Sequence, residues 1–445
     1  MPGPVLAPFD ADTELPRAVD VVVIGGGIIG ASTALELAER GLAVLLCEKG
    51  QIGAEQSSRN WGWVRITCRD PREIPLMAEA IRIWEGLDAR LERKTGYTRA
   101  GIAFGAKTER DIANYSAWAE HLAPHQIETR LIRPDEVEAL SPGNRMGLKG
   151  ALFTPIDGRA EPQWAAPAIA ARARDLGAKV MTNCAVRSLD LEAGRIAGVV
   201  TERGRVRTAS VVLAGGAWSR LFAGNAGLSL PQLQVMNTVL RTTPVDGPEA
   251  AFENGDFAYR RRADGGYTIA SAGQNTVDLV PDSFRLALTF LPTARHEWRS
   301  LRFRLSRRWL EVARQARRWA PEDRTPFELC RILDPEPSQR ELRRAWAAAQ
   351  AGLPFLQGAD VAQSWAGMID VTPDAIPVIS PVETLPGFHI ATGFSGHGFG
   401  IGPGAGRLMA DIVTGRTPVV DPSPFRLSRF TDGSRIAPDD GFGGV

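Results

Sequence analysis

Near the start of the chain, Gly25-Gly26-Gly27-Ile28-Ile29-Gly30 has the residue types and spacing to hold a diphosphate. Gly25 permits a tight turn, Gly27 lets the backbone approach phosphate oxygens, and Gly30 lets a helix pack closely on a strand. Glu48 follows 18 residues beyond Gly30, with Lys49 after it. A carboxylate there can accept hydrogen bonds from a ribose diol, which favours an adenosine ribose without a phosphate. The glycines need elements to position them. Residues 18–24 (AVDVVVI) form a β-branched run suited to a strand buried on both faces. Residues 31–40 are helix formers ended by Gly41, and residues 42–47 (LAVLLC) make a second apolar strand. Strand, loop, helix, strand and acid together predict a dinucleotide site with its pyrophosphate on the helix N-terminus. The motif does not choose between FAD and NAD.

Three later stretches have chemistry to offer. Residues 51–65 (QIGAEQSSRNWGWVR) combine small residues with Trp61 and Trp63. They can admit and wall a flat ligand, or be an ordinary loop with two core indoles. Residues 180–212 read as several strands, the last ending in Ala214, Gly215 and Gly216. That ending can pass close to a cofactor or simply turn. Residues 387–392 are strand-like and run into Gly393-Phe394-Ser395-Gly396-His397-Gly398-Phe399-Gly400, followed by a helix over about 404–413. Gly400-x-Gly402-x-x-Ala405 imitates a second fingerprint, but Gly415-Arg416-Thr417-Pro418 breaks the chain where a second strand is required. A helix N-terminus reached by glycines suits instead a delocalised negative charge, such as the N1–C2=O edge of a reduced flavin.

The whole chain sets bounds. Its 445 residues suggest roughly two domains, and a net charge of +1 gives no case for nucleic acid. Cys47, Cys68, Cys184 and Cys330 are too sparse for a disulfide framework and read as reduced thiols of a cytoplasmic protein. The five histidines lack metal-ligand spacing, so no metal is expected. No apolar run reaches membrane-spanning length, and the first twenty residues lack the pattern of a signal peptide. The N-terminal extension is expected to be loose up to Arg17.

In the order VVVIGGGIIG…CEKG, SSRNWGWVR, DGRAEP, VVLAGGAW, WAGMIDVTPDAIPVI, GFSGHGFGIGPG, the chain resembles the D-amino-acid oxidase family of FAD-dependent oxidoreductases. SSRNWGWVR and RRRADGGYTIA look most like its D-amino-acid dehydrogenase and opine oxidase branch. The resemblance implies an α/β chain in two domains. A Rossmann-like FAD domain is discontinuous over 17–93, 150–225 and 355–425. A substrate domain with an antiparallel sheet takes 94–149 and 226–354, leaving 1–16 and 426–445 as irregular ends. It implies that Gly25, Gly26, Gly27, Ile28, Ile29 and Gly30 bind the pyrophosphate, and that Glu48 and Lys49 flank the adenosine ribose. Ser57, Ser58, Arg59, Asn60 and Trp61 would lie along the flavin. Val186 would meet the adenine through its backbone. Ala214, Gly215 and Trp218 would border the cofactor, and Gly393, Gly396, His397, Gly398, Phe399 and Gly400 would face the pyrimidine edge. Gly367 stands where monomeric sarcosine oxidases attach FAD through cysteine, so a noncovalent FAD is expected. Gly400 stands near the place of a lysine in those enzymes, and every lysine here lies at or before Lys179. Sarcosine is therefore a poor substrate guess, and the acceptor, oxygen or a quinone, is left open.

The chemistry so implied is hydride transfer from substrate Cα–H to flavin N5, giving an imine that water hydrolyses. A D-amino acid is the first expectation, an opine-like secondary amine the second, and a non-catalytic FAD subunit of an electron-transfer complex the third. A substrate carboxylate needs an arginine fork. Arg65 is the first candidate, since it resembles a carboxylate-binding arginine of sarcosine oxidases, with Arg261 and Arg331 behind it. Tyr259 and Tyr267 could wall the pocket or fill the core, and His397 is read as positioning the flavin loop through its backbone. Finally, Trp298, Leu301, Leu305, Trp309, Val312, Ala316 and Trp319 recur at steps of three and four, predicting one amphipathic helix over 294–319. Its arginine-rich face is either solvated or a contact for an anionic membrane surface at the inner face of the membrane or a partner subunit.

Overall fold

The computed structural model describes residues 3–273, 275–298 and 300–436. Strand β1 (Val21–Ile24) is buried along its whole length and lies at the heart of a parallel sheet. Val21 is in register with Val44 of β2 (Val44–Cys47) on one side and with Ser210 of the Ser210–Leu213 strand on the other. Lys179–Met181 and Phe388–Thr392 extend this sheet in parallel, and Val378–Pro381 closes it antiparallel, making six strands. Helix α1 (Ile28–Glu39) starts inside the glycine loop rather than at residue 31, because Ile28 already takes helical conformation. It packs between the Pro162–Asp175 and Gly398–Thr414 helices. A Cβ on Gly406 would come within 2.5 Å of Ser32 Cβ, so the pair of α1 and Gly398–Thr414 is as close as two backbones of this kind allow.

The second layer is a ten-stranded sheet running from Leu301–Arg304 through the long Leu233–Thr242 strand to Arg130–Ile132. It is antiparallel except at two joins, Ala251–Glu253 with Ile102–Ala106 and Asn275–Asp278 with Leu301–Arg304. The chain does not divide at the expected positions. Gly150–Thr154 and Val361–Val371, both expected in the dinucleotide domain, are strands of this second sheet. Phe327, expected in the substrate domain, packs in the core beneath β1 and β2. The N-terminal residues are not loose: Ala7 N donates to Gln163 O at 3.1 Å and Asp12 N to Val180 O at 2.8 Å. The end of the chain beyond residue 436 lies outside the described residues.

Two strands do most of the positioning. Leu233–Thr242 and Val361–Val371 pair antiparallel from Leu233↔Val371 to Thr242↔Val361. Side chains alternate across a strand. Met236, Ala366 and Met368 therefore cluster on one face, while Val235, Ile369 and Val371 cluster on the other.

The single helix expected over 294–319 does not form. The chain makes a helix at Ala287–His296, a strand at Leu301–Arg304 and a short helix at Arg308–Arg314. LRFR alternates apolar and basic residues, so it also satisfies a period of two, and pairing with Asn275–Asp278 decides the matter. Among the described residues no helix is long and apolar enough to cross a membrane.

Candidate active site

A long cleft begins where β1 runs into the glycine loop. Gly25 adopts φ +105, and a Cβ there would strike Ala214 O at 2.4 Å. A Cβ on Gly30 would lie 1.9 Å from Gly25 O. Both positions therefore exclude any side chain. At Gly27, among the described residues other than its chain neighbours, a Cβ would meet Ser57 Oγ alone, at 3.0 Å, so its open side faces the cleft. Gly27 caps α1, whose first turn has no acidic residue. A diphosphate would fit here, at the positive end of a helix. At the end of β2, Glu48 accepts from Gly26 N and Gly50 N, each at 2.7 Å. Burial lifts its carboxyl above the usual range. A carboxylate has about four acceptor sites, so two backbone donors leave room for a ribose diol. The residues present fit FAD from adenosine to flavin.

The cleft is lined further by Lys49, Ser57, Asn60, Val186, Ala214, Gly215 and Trp218, and at its far end by Gly396, Gly398 and Phe399. Lys49 Nζ donates to Glu55 Oε1 at 2.6 Å and lies 4.4 Å from the Trp218 ring centroid, and Trp218 Nε1 reaches both Glu55 oxygens at 3.0 Å. Glu55 thus ties two expected cofactor residues together. Nothing in the sequence singles it out, nor Gln56, Phe327, Met368, Asp370 and Thr392, which also line the cleft. Asp370 stands within the WAGMIDVTPDAIPVI motif, and that membership is the one signal that bears on it. It accepts from Gly393 N at 2.7 Å, Gln232 Nε2 at 3.0 Å and Thr392 Oγ1 at 3.1 Å, with burial pushing its carboxyl up.

Several expected cofactor residues act behind the cleft wall. Ser58 is fully buried, Arg59 pairs with Asp334, and Gly393 adopts φ +76 beside Thr372. A Cβ on Gly367 would run into Gln56 Oε1 at 2.1 Å, so the Gln56 side chain occupies the space in front of it. Gly400 accepts Trp84 Nε1 at 2.7 Å through its carbonyl. The Gly398–Thr414 helix starts at Gly398, six residues before its expected start, so its N-terminus meets the cleft directly.

Asn60, Gln56, Gly396 and Phe399 line both this cleft and a small adjoining chamber of about 80 Å³. Trp61, Trp63, Arg65, Arg69, Asn237 and His397 are also in the chamber wall. Trp61 and Trp63 meet edge to face at 5.3 Å, and Trp61 Nε1 donates to Asn237 Oδ1 at 3.2 Å. Arg65 lies over the Phe104 ring at 5.4 Å and donates to Thr67 O. Arg69, which belongs to none of the sequence motifs, is buried, with Nε donating to Arg65 O and Nη2 to His397 O. Its Nη1 lies 3.5 Å from Glu73 Oε1, and Glu73 Oε2 lies 3.6 Å from His397 Nδ1. Burial pushes the Glu73 carboxyl up, but Arg69 and His397 outweigh it and hold it below the usual range. Burial lowers the His397 imidazole, which favours its neutral form.

The remaining substrate candidates are not gathered here. Arg261 bonds Glu249 Oε1 at 2.7 Å, and Arg331 forks onto both oxygens of Glu202 while holding Lys49 O. Tyr259 and Tyr267 are core residues. Their hydroxyls donate to Ser141 Oγ and Pro248 O, and both rings pack against Phe355. Strand parity explains it: Tyr259 faces that core, while Arg260 on the opposite face forms a buried fork with Glu161 and donates to Trp61 O. Among the described residues, no group of His, Cys, Asp and Glu has the arrangement of a metal site.

Residues 20–412 match the family of FAD dependent oxidoreductases known as DAO. The chain is 25% identical over 440 residues to sarcosine oxidase subunit beta from an Arthrobacter species, covering 96% of this chain and 94% of that one. It is 27% identical over 413 residues to glycine oxidase from Pseudomonas aeruginosa, covering 91% and 97%. The structure of L-amino acid deaminase from Proteus myxofaciens in complex with anthranilate superposes with a TM-score of 0.93 at 32% identity, covering 97% of each chain. That of the Proteus vulgaris L-amino acid deaminase does so with a TM-score of 0.91 at 31% identity, covering 95% of this chain and 100% of that chain. With the dinucleotide cradle, the glycine loop at the far end of the cleft and these likenesses together, the chain belongs to the DAO family of FAD-dependent oxidoreductases, acting on amino acids or amines with FAD as cofactor.

Proposed function

We propose that the chain oxidises the Cα–H bond of a free α-amino acid of the L hand, yielding a 2-oxo acid and ammonia after hydrolysis of the imine. The observation that carries this reading is the continuity of the dinucleotide cleft with the Trp61–Trp63–Arg65 chamber, through Asn60, Gly396 and Phe399. Bound FAD supplies the hydride acceptor. The chain binds and orients. Arg65 offers a cation to the substrate carboxylate, and Asn237 offers polar contact. Neutral His397 leaves the amine free of a competing positive charge. Sequence motifs favour a D-amino acid. The likeness to the Proteus enzymes favours the L hand.

A second reading, oxidation of an N-methyl or other secondary amino acid, draws on the likeness to sarcosine oxidase subunit beta and to the 4-methylaminobutanoate oxidase of Paenarthrobacter nicotinovorans. Anaerobic titration of the purified yellow protein with both enantiomers of amino acids, sarcosine and opines decides. L-amino acids are expected to bleach the flavin. Bleaching by N-substituted amino acids alone selects the second reading, by D-amino acids alone reverses the hand, and by none of them leaves a non-catalytic FAD subunit. Acid denaturation of the same sample is expected to release all the flavin, as the place of Gly367 behind Gln56 implies.

A further inference from the structure

Arg69 and His397 line the substrate chamber and also a second, larger cavity of about 350 Å³ behind it. Its walls come from the face of the long strand pair that points away from the flavin cleft. Leu233, Val235 and Val371 supply one side, Val277 another, and Phe290 and Ala294 of the Ala287–His296 helix form the roof. The chamber itself, at about 80 Å³, has little space beyond the groups on a substrate α-carbon. The cavity falls in the size range of small-molecule sites, roughly 300–1,000 Å³.

Asp70, Asp374 and Glu297 touch this cavity but are already engaged. Arg429 forks onto Asp374 at 2.9 and 3.1 Å, Arg72 holds Asp70, and Ser300 donates to Glu297. Beside the wall that chamber and cavity share, wholly buried Glu73 lies between Arg69 and His397, and none of its oxygens has a hydrogen bond among the described residues. Arg69 and Glu73 offset each other in charge, and Arg65 stands on the chamber side. The unpartnered atoms, Arg69 Nη1, both Glu73 oxygens and His397 Nδ1, stand at the end next to the chamber, and a charged side chain reaching past them to Leu233, Val235, Phe290 and Val371 would lose its water without gaining a partner. An apolar one would exchange water for Leu233, Val235, Phe290 and Val371.

Resting on the amino-acid reading above, we propose that this cavity receives the substrate side chain and selects amino acids with large apolar side chains, branched aliphatic or aromatic. Substrate strength then rises with apolar surface, about fourfold for each methylene buried.

The test is anaerobic stopped-flow reduction of the holoenzyme by L-alanine, L-norvaline, L-leucine, L-phenylalanine and L-glutamate. The expected second-order rate climbs along the apolar series, with glutamate far below leucine. Ala294→Phe fills the cavity from its roof, away from the flavin. It should keep flavin content and the alanine rate within about twofold, and lose at least tenfold toward leucine and phenylalanine. Equal rates for alanine, leucine and phenylalanine overturn the proposal while leaving amino-acid oxidation intact. If Ala294→Phe does not fold, Ala287→Phe from the same roof replaces it. If no amino acid reduces the flavin, the reading above falls, and binding alone then decides the cavity. A saturable change of the flavin spectrum with 3-phenylpropionate but not acetate supports an apolar pocket opening at the flavin, and no change with either removes it.

Discussion

Gly27 and Gly30 stand three residues apart and do different jobs. Gly30 has no space at all, since its Cβ would lie 1.9 Å from Gly25 O, whereas Gly27 has space that only Ser57 Oγ borders. Gly30→Ala should therefore destabilise the fold itself, by about 1–3 kcal/mol or more. Gly27→Val should melt close to the wild-type apoprotein and yet bind FAD at least tenfold more weakly. Thermal melting followed by circular dichroism, alongside flavin absorbance of the purified variants, separates the two. Equal melting temperatures for both variants would contradict this division. The tight space at Gly25 and Gly30 is legible in the sequence because glycines at those fixed offsets, between a strand and a helix, suit little besides a close backbone approach. Arg65, Arg69, Arg260 and Arg331 are not separable there. All are arginines near plausible motifs, and only the fold sends one to Glu202, one to Glu161 and two to the chamber.

At the level of elements, the segment that brings Arg65 and Arg69 to the chamber is fastened by one side chain. Asp157 accepts from Ile66 N at 2.7 Å, from Thr67 N at 3.3 Å and from the Thr67 hydroxyl. Burial raises its carboxyl to about 6, above the ordinary 3.8. The folded chain therefore holds this proton more tightly than the unfolded one. The carboxyl contributes most below about pH 4, and its contribution declines as pH rises through 6, by about 3 kcal/mol in all. Asp157→Asn loses hydrogen bonds at every pH but has no such titration. Its melting temperature relative to wild type should thus rise between pH 4 and pH 8. A difference constant across that range would show that the carboxyl keeps its ordinary value. DGRAEP is legible as a motif, but nothing in it shows which backbone groups Asp157 holds. The same limit explains the broken 294–319 helix, where apolar residues satisfy two periods at once and only the partner strand at Asn275–Asp278 chooses between them.

Across the whole molecule, one region departs from an ordinary surface. Phe284, Leu288, Trp298, Phe303 and Leu305 are each more than half exposed within a short stretch that also forms the roof of the apolar cavity. Arginines accompany them, although Arg304, Arg308 and Arg317 are spent on Asp278, Gln234 and Asp282. Apolar surface rimmed by cations is the composition of a peripheral contact with anionic lipid. The expected outcome is sedimentation of the holoenzyme with vesicles containing phosphatidylglycerol and not with pure phosphatidylcholine, lost in Leu288→Glu/Phe303→Glu. Equal recovery in the supernatant with both vesicles would show an ordinary, if apolar, surface.

The cradle for FAD takes Gly25 and Gly27 from near one end of the chain and Gly396, Gly398 and Phe399 from near the other. On a ribosome adding about 5–20 residues per second, the first half of that cradle waits on the order of half a minute for the second. During that interval α1 has no Gly398–Thr414 helix to lie against, and Ser32 faces water or a chaperone. FAD capture accordingly follows synthesis of the Gly398–Thr414 helix, and riboflavin starvation should leave behind full-length chains with an empty cradle.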